Sequence, residues 1–100
     1  MVRIILRPEL PLTKETILAD NLRSTRAIID QYYGDTGKFP DSLEQLVEKK
    51  YLRAVPIDPI TEKSDSWVIV PPDDVTKGSV ADIKSGAPGN DRSGKPYSEW

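Results

Sequence analysis

The side chains that could do chemistry in this chain are serines, lysines and carboxylates, because it contains no histidine and no cysteine. That excludes thiol nucleophiles, imidazole bases, disulfides and the usual zinc and copper ligands. Ser64, Ser66, Ser85 and Ser93 are left as nucleophiles in principle. None lies in a nucleophile-elbow pattern or has S-x-x-K spacing. No glycine-rich loop joins a strand to a helix, so a phosphate cradle has no basis either. Among the acids, Asp73 and Asp74 follow two prolines and read as a solvated turn. Asp91 lies in a glycine-rich tail with Ser85 and Ser93, which makes these three the candidates for an all-oxygen calcium site. Calcium takes six or more oxygens, and Asp91 is the one secure carboxylate; Asp82 and Glu99 are less surely placed. The EF-hand spacing is absent. On residues alone the tail is a hydrogen-bonded loop, with a bound cation as the alternative.

Charge and composition narrow the class further. The 14 basic and 16 acidic side chains give a net charge of −2, and the aromatics are few. There is no basic footprint for nucleic acid. With 37% hydrophobic and 30% charged residues in 100 positions, the chain reads as one small soluble domain with a modest core. The opening "MVRIIL" is apolar but too short to span a bilayer. Residues 1–11 read as an N-terminal remnant or arm, and residues 12–100 as a single domain. No signal peptide is visible.

The elements that must position these groups follow from periodicity. Leu18, Leu22, Thr25, Ile29 and Tyr32 alternate in steps of four and three, which is one face of a helix. Ile17 and Ile28 widen that stripe. Thr13 is the expected N-cap and Gly34 the expected C′ residue, giving roughly 20 residues and about 30 Å. So long a helix cannot be covered by the rest of the chain, so part of it should project or find a partner. Pro40 cannot continue it. Asp41 then opens a second, short helix as N-cap, with Glu44 completing a capping box; Leu43, Leu46 and Val47 face inward. In "YLRAVPIDPIT", Pro56 and Pro59 exclude regular structure, and Tyr51, Leu52, Val55, Ile57 and Ile60 pin it to the core. "WVIV" from Trp67 and "SVADIK" from Ser79 read as an antiparallel strand pair. In the tail, Gly86, Gly89 and Gly94 permit unusual backbone angles. Tyr97 and Trp100, large aromatics after a polar loop, suggest that the tail is pinned back on the body.

Three motifs in order then carry a resemblance. Gly37-Lys38-Phe39-Pro40 is a G-x-[FY]-P turn. Pro40-Asp41-Ser42-Leu43-Glu44-Gln45-Leu46 has the form P-x-S-L-x-x-L. Tyr51 to Pro59 reads Y-L-x-x-[VI]-P-x-D-P, with Pro56, Asp58 and Pro59 at its end. With the preceding amphipathic helix, the Trp67-led strand and the terminal S-E-W at Trp100, residues 18–100 resemble the soluble domain of bacterial pseudopilins. The nearest likeness is to the major, G-type pseudopilin of type II secretion systems, with type IV pilin-like proteins as relatives.

The resemblance implies a pilin-like α+β fold: a long helix, a short helix, an antiparallel sheet of two to three strands on the long helix, and an ordered C-terminal loop. It implies a non-enzymatic fibre subunit, anchored in the inner membrane by an apolar segment before Met1, with its domain in the periplasm. Its partners would be other pseudopilin subunits, inner-membrane components of the secretion system and, for the precursor, the prepilin peptidase. Ile17, Leu18, Leu22, Ile29 and Tyr32 would serve helix packing and assembly. Gly34, Gly37, Phe39, Pro40, Asp41, Pro56, Asp58, Pro59, Trp67 and Trp100 would be structural. The family's calcium loop resembles D-[IV]-x-S-x-G-A-D-G. Here Pro88 stands where a ligand aspartate is expected and Y-S-E-W replaces an aspartate-bearing run, so the expectation is a loop without metal or other cofactor. A type IV pilus-like or minor pilin subunit, or a soluble module that docks a partner through its long helix, are the alternatives.

Overall fold

The computed structural model describes residues 10–100, with side chains from residue 14 onward. The remnant expected at residues 1–11 therefore lies almost wholly outside the described residues. The fold is α+β. Helix α1 runs Leu10–Thr36, 27 residues, or about 40 Å at 1.5 Å per residue. A short helix α2 follows at Leu43–Glu48. Strands β1 (Val68–Val70) and β2 (Asp82–Lys84) pair antiparallel, Ile69 opposite Ile83. Short 3-10 turns stand at Val75–Lys77 and Tyr97–Glu99.

The periodic face of α1 is the one that packs. Leu18, Leu22, Thr25, Ile29 and Tyr32 are all buried, with Leu43, Leu46, Trp67, Val80, Ile83, Ala87 and Tyr97 across from them. Glu15 continues the register one step earlier and is buried as well. Ile17 does not share this face: it is 43% exposed, because it sits one residue off the inward row. Ile57 is likewise exposed, while Tyr51, Leu52, Val55 and Ile60 pack against the core.

Both ends expected for α1 are displaced. Helix already begins at Leu10, so Thr13 is inside it rather than capping it. Gly34 is helical too, and the stop comes three residues later. Gly37 has φ +79, and its N–H reaches the Tyr33 carbonyl at 2.8 Å. This is the left-handed C′ geometry that glycine adopts without a Cβ penalty. Gly34 was the earlier glycine in the sequence, but a helix gains one bond for each residue it continues, and nothing at Gly34 interrupts it.

The start of α2 is shifted by one. Ser42, not Asp41, is the N-cap: its Oγ accepts from Gln45 N at 3.1 Å. Gln45 Oε1 in turn accepts from Asp41 N at 2.7 Å. Ser42 and Gln45 thus do the reciprocal capping assigned to Asp41 and Glu44. The later start places Leu43 and Leu46 inward together. At its far end α2 closes in a Schellman motif. Tyr51 N bonds to Leu46 O (2.8 Å) and Lys50 N to Val47 O (3.0 Å), with Lys50 at φ +67. A lysine here occupies the position where glycine is usual.

The sheet is smaller than the sequence suggests, two strands of three residues each. Trp67 precedes β1 and is buried, its Nε1 donating to Pro56 O at 2.8 Å. Residues 77–80 pair with the Phe39-Pro40 turn instead of extending β2. Phe39 N donates to Lys77 O (2.6 Å), and Ser79 N and Val80 N both donate to Pro40 O. Gly78, at φ +119, makes this approach possible: a Cβ there would lie 2.2 Å from Phe39 O. Pro40 itself is fully buried. Gly86 is needed for space rather than for an unusual angle, since a Cβ would meet Ser66 O at 2.0 Å.

Candidate functional site

The residues singled out as a possible calcium loop do not converge on one point. Ser85 is fully buried and donates to Asp58 Oδ2 at 2.6 Å, while its Oγ accepts from Ala87 N at 3.1 Å. Asp58, also fully buried, uses Oδ1 to accept from Ile60 N (2.8 Å) and Thr61 N (3.4 Å). Its main chain holds a turn through Asp58 N to Lys63 O and Glu62 N to Asp58 O. Both oxygens of this one carboxylate are thus satisfied by donors from the end of β2 and from the turn after Pro59. A buried carboxylate is tolerated only with such partners. Pro56 and Pro59 frame this point, and it anchors the connection to the sheet.

Asp91 organises the tail. Its Oδ1 accepts from Ser93 N (2.8 Å), Ser93 Oγ (2.7 Å) and Lys95 N (2.9 Å), and its Oδ2 from Trp100 Nε1 (2.9 Å). These donors hold the Asp91 carboxyl below its ordinary range, the Ser93 hydroxyl foremost, while partial desolvation opposes them. A bridge between Asn90 and Pro96 closes the loop. Trp100 then stacks obliquely on Tyr97, ring centroids 5.5 Å apart.

From there the tail is fixed to α1 by two polar contacts that the sequence did not announce. Tyr97 Oη donates to Glu15 Oε2 at 2.8 Å, across 82 residues. Both groups are buried, and the Tyr97 hydroxyl is pushed up to about 12 by burial and by the Glu15 carboxylate. Arg26 gathers three oxygens: Asp82 Oδ1 (2.7 Å), Ile83 O (2.9 Å) and Trp100 O (3.1 Å). One guanidinium therefore joins α1, β2 and the tail, a use that suits its fixed fork of donors. The signal for Glu15 was its place in the 15, 18, 22, 25, 29, 32 register; its charge hid it.

The side chains weighed as calcium ligands are engaged with other partners. Among the described residues no three His, Cys, Asp or Glu side chains lie close enough together to hold a metal ion. Both Asp91 oxygens already accept hydrogen bonds, three on Oδ1 and one on Oδ2. Ser93 is committed to Asp91 and Ser85 to Asp58.

At the opposite end of the head, the remaining structural residues meet around the Phe39-Pro40 turn. Tyr33 and Phe39 rings lie 4.4 Å apart, and Tyr32 meets Tyr51 edge-on at 5.2 Å. Tyr51 Oη also donates to Asp35 Oδ2 at 2.7 Å, which ties the last turn of α1 to the end of α2. None of these groups forms a nucleophile–base pair. The whole arrangement presents α1 on one side of a head closed at both ends by these contacts. Comparison with protein-family models, curated proteins and solved structures yields no match to this chain.

Proposed function

We propose that this chain is the head of a pseudopilin-like fibre subunit of a type II secretion system, structural rather than catalytic, and held in the periplasm by an apolar segment before Met1. The observation that carries the reading is that all three resembling motifs build the head on one face of α1. The Gly37 turn ends the helix, Pro40 is buried and receives residues 79 and 80, and Asp58 closes the connection onto β2. The rest of the α1 surface is mostly polar, with Ile17 as its exposed large apolar side chain among the described residues, and among the described residues no helix is long and apolar enough to cross a membrane. In this reading the tail loop is set by Asp91 and Tyr97, without calcium. The partners are further subunits of the fibre and inner-membrane components of the secretion system, with the prepilin peptidase acting on the precursor.

The test has two steps. Reading the gene upstream of Met1 should reveal a Gly-Phe-Thr-Leu-x-Glu-type junction followed by an apolar run; a stop codon directly before Met1 would sink the proposal. The full-length protein, expressed with a secretion system, should then enter fibres visible by electron microscopy. A full-length protein that stays monomeric in the membrane would overturn the fibre role.

A further inference from the structure

A cavity of about 220 Å³ opens between the start of α2, β1 and the loop at residues 64–65. Its apolar lining comes from Leu43, Trp67, Ile69 and Val80, and its acidic side chains are Asp41, Glu44 and Asp65. These three are exposed, and none has an ion-pair partner among the described residues. No basic side chain lines the cavity. The carboxylates are too dispersed to share one metal ion. An apolar floor under a dispersed acidic rim fits a long basic side chain, whose methylene stem is apolar and whose head is charged.

The chain carries such side chains at the other end of the same helix. Lys49, Lys50 and Arg53 are exposed and likewise without ion-pair partners among the described residues. Helix α2 has six residues, Leu43–Glu48, about 9 Å of rise; Asp41 precedes it, Glu44 lies in its first turn and Asp65 comes from the facing loop, while the bases follow its last residue, Glu48. No ion pair joins the two groups within one copy among the described residues.

We infer that the Lys49–Lys50–Arg53 corner of one copy docks into the Asp41–Glu44–Asp65 cavity of a second copy. The contact is head-to-tail, so each docked pair keeps one free cavity and one free corner, and such an interface propagates instead of closing. Rim ion pairs are individually weak, so the contact matters when copies are already concentrated. The inference rests on the fibre reading for its setting, but its test does not.

Because the chain has no cysteine, single thiols can be placed cleanly. Glu44→Cys and Lys49→Cys proteins are mixed in equal amounts at high concentration and oxidised mildly. The expected result is a mixed disulfide dimer well above its statistical share. That excess should disappear at about 1 M salt, where the screening length falls to about 3 Å. It should also disappear when Lys50→Glu and Arg53→Glu are added to the Lys49→Cys partner. Melting curves of each variant alone establish that the head remains folded. A statistical distribution at low salt, an excess of either self-dimer, or an excess indifferent to salt overturns the inference. The upstream-gene and fibre experiments succeed or fail independently of this result.

Discussion

The two halves of the head are held in place by different balances of forces. Residues 37–60 are fixed by apolar packing and by main-chain caps: Leu43 and Leu46 inside, Ser42 and Gln45 at one end of α2, the Schellman closure at the other. Residues 81–100 add side-chain oxygens to the packing of Ile83, Ala87 and Tyr97: Asp58 on Ser85, Asp82 on Arg26, Asp91 on Trp100, Glu15 on Tyr97. The first kind of attachment tolerates sliding and repacking. The second is geometric and fails when a single donor is removed. The polar loop between Ala87 and Tyr97, with little apolar surface to bury, is ordered through the donors that meet Asp91.

Breaking the apolar half should have the largest effect. Leu46 is fully buried, and Leu46→Ala should cost about 2–5 kcal/mol through lost transfer energy and a cavity; chemical denaturation would measure it. In the polar half, Tyr97→Phe removes one hydroxyl and leaves the buried Glu15 carboxylate short of a donor, for about 1–3 kcal/mol. Hydrogen exchange should show the loss concentrated in residues 90–100, with α2 still protected. Uniform loss across both halves would show that they are not separable. The raised Tyr97 value adds a pH signature. Its contribution is complete below the unfolded tyrosine value of about 10 and is lost as pH rises from there towards about 12. The gap between wild type and Tyr97→Phe should close over that window.

Asp91 sharpens the comparison at the acidic end. Its lowered folded value means that its stabilisation is present above the unfolded value, about 3.9, and is lost as pH falls through the lower folded value. Asp91→Asn should lower the melting temperature by several degrees near neutral pH, and its deficit should shrink below about pH 4. At neutral pH, chelator and added calcium should both leave wild-type melting unchanged; a rise with calcium would mean that the loop takes a cation after all. The smallest effect is a gain. Lys50→Gly relieves a left-handed residue at the α2 closure and should stabilise by about 0.5–1 kcal/mol. A loss would mean that the lysine side chain itself supports the turn.

The same division governs what was legible in the sequence. The inward row of α1 could be read because periodicity is local. The antiparallel pairing, the packed connection and a tail returned to the body could be read for similar reasons. The ends of helices could not be read to the residue: Gly34 and Gly37, or Asp41 and Ser42, are equivalent by type, and only tertiary fit separates them. The sheet was overextended because residues 77–80 satisfy their backbone on the Phe39-Pro40 turn, a partner no strand pattern announces. Nothing local marks Glu15 for Tyr97, or Arg26 for Asp82. Ser85 looked like a ligand because serine beside glycine suggests a loop, whereas burial gave it to Asp58.

The Glu15–Tyr97 bond has a consequence for how the molecule comes into being. It joins an early turn of α1 to the Tyr97–Glu99 turn, so 82 positions of sequence separate the two groups that it holds. A nascent polypeptide on the ribosome can form α1 and α2 early, since their contacts are near in sequence. It cannot seat Glu15 until residue 97 has emerged. Until then a carboxylate waits beside an open core, and the head is unfinished. Any chain that lacks Tyr97 leaves Glu15 without its donor, and so presents an unsealed helix rather than a slightly smaller head.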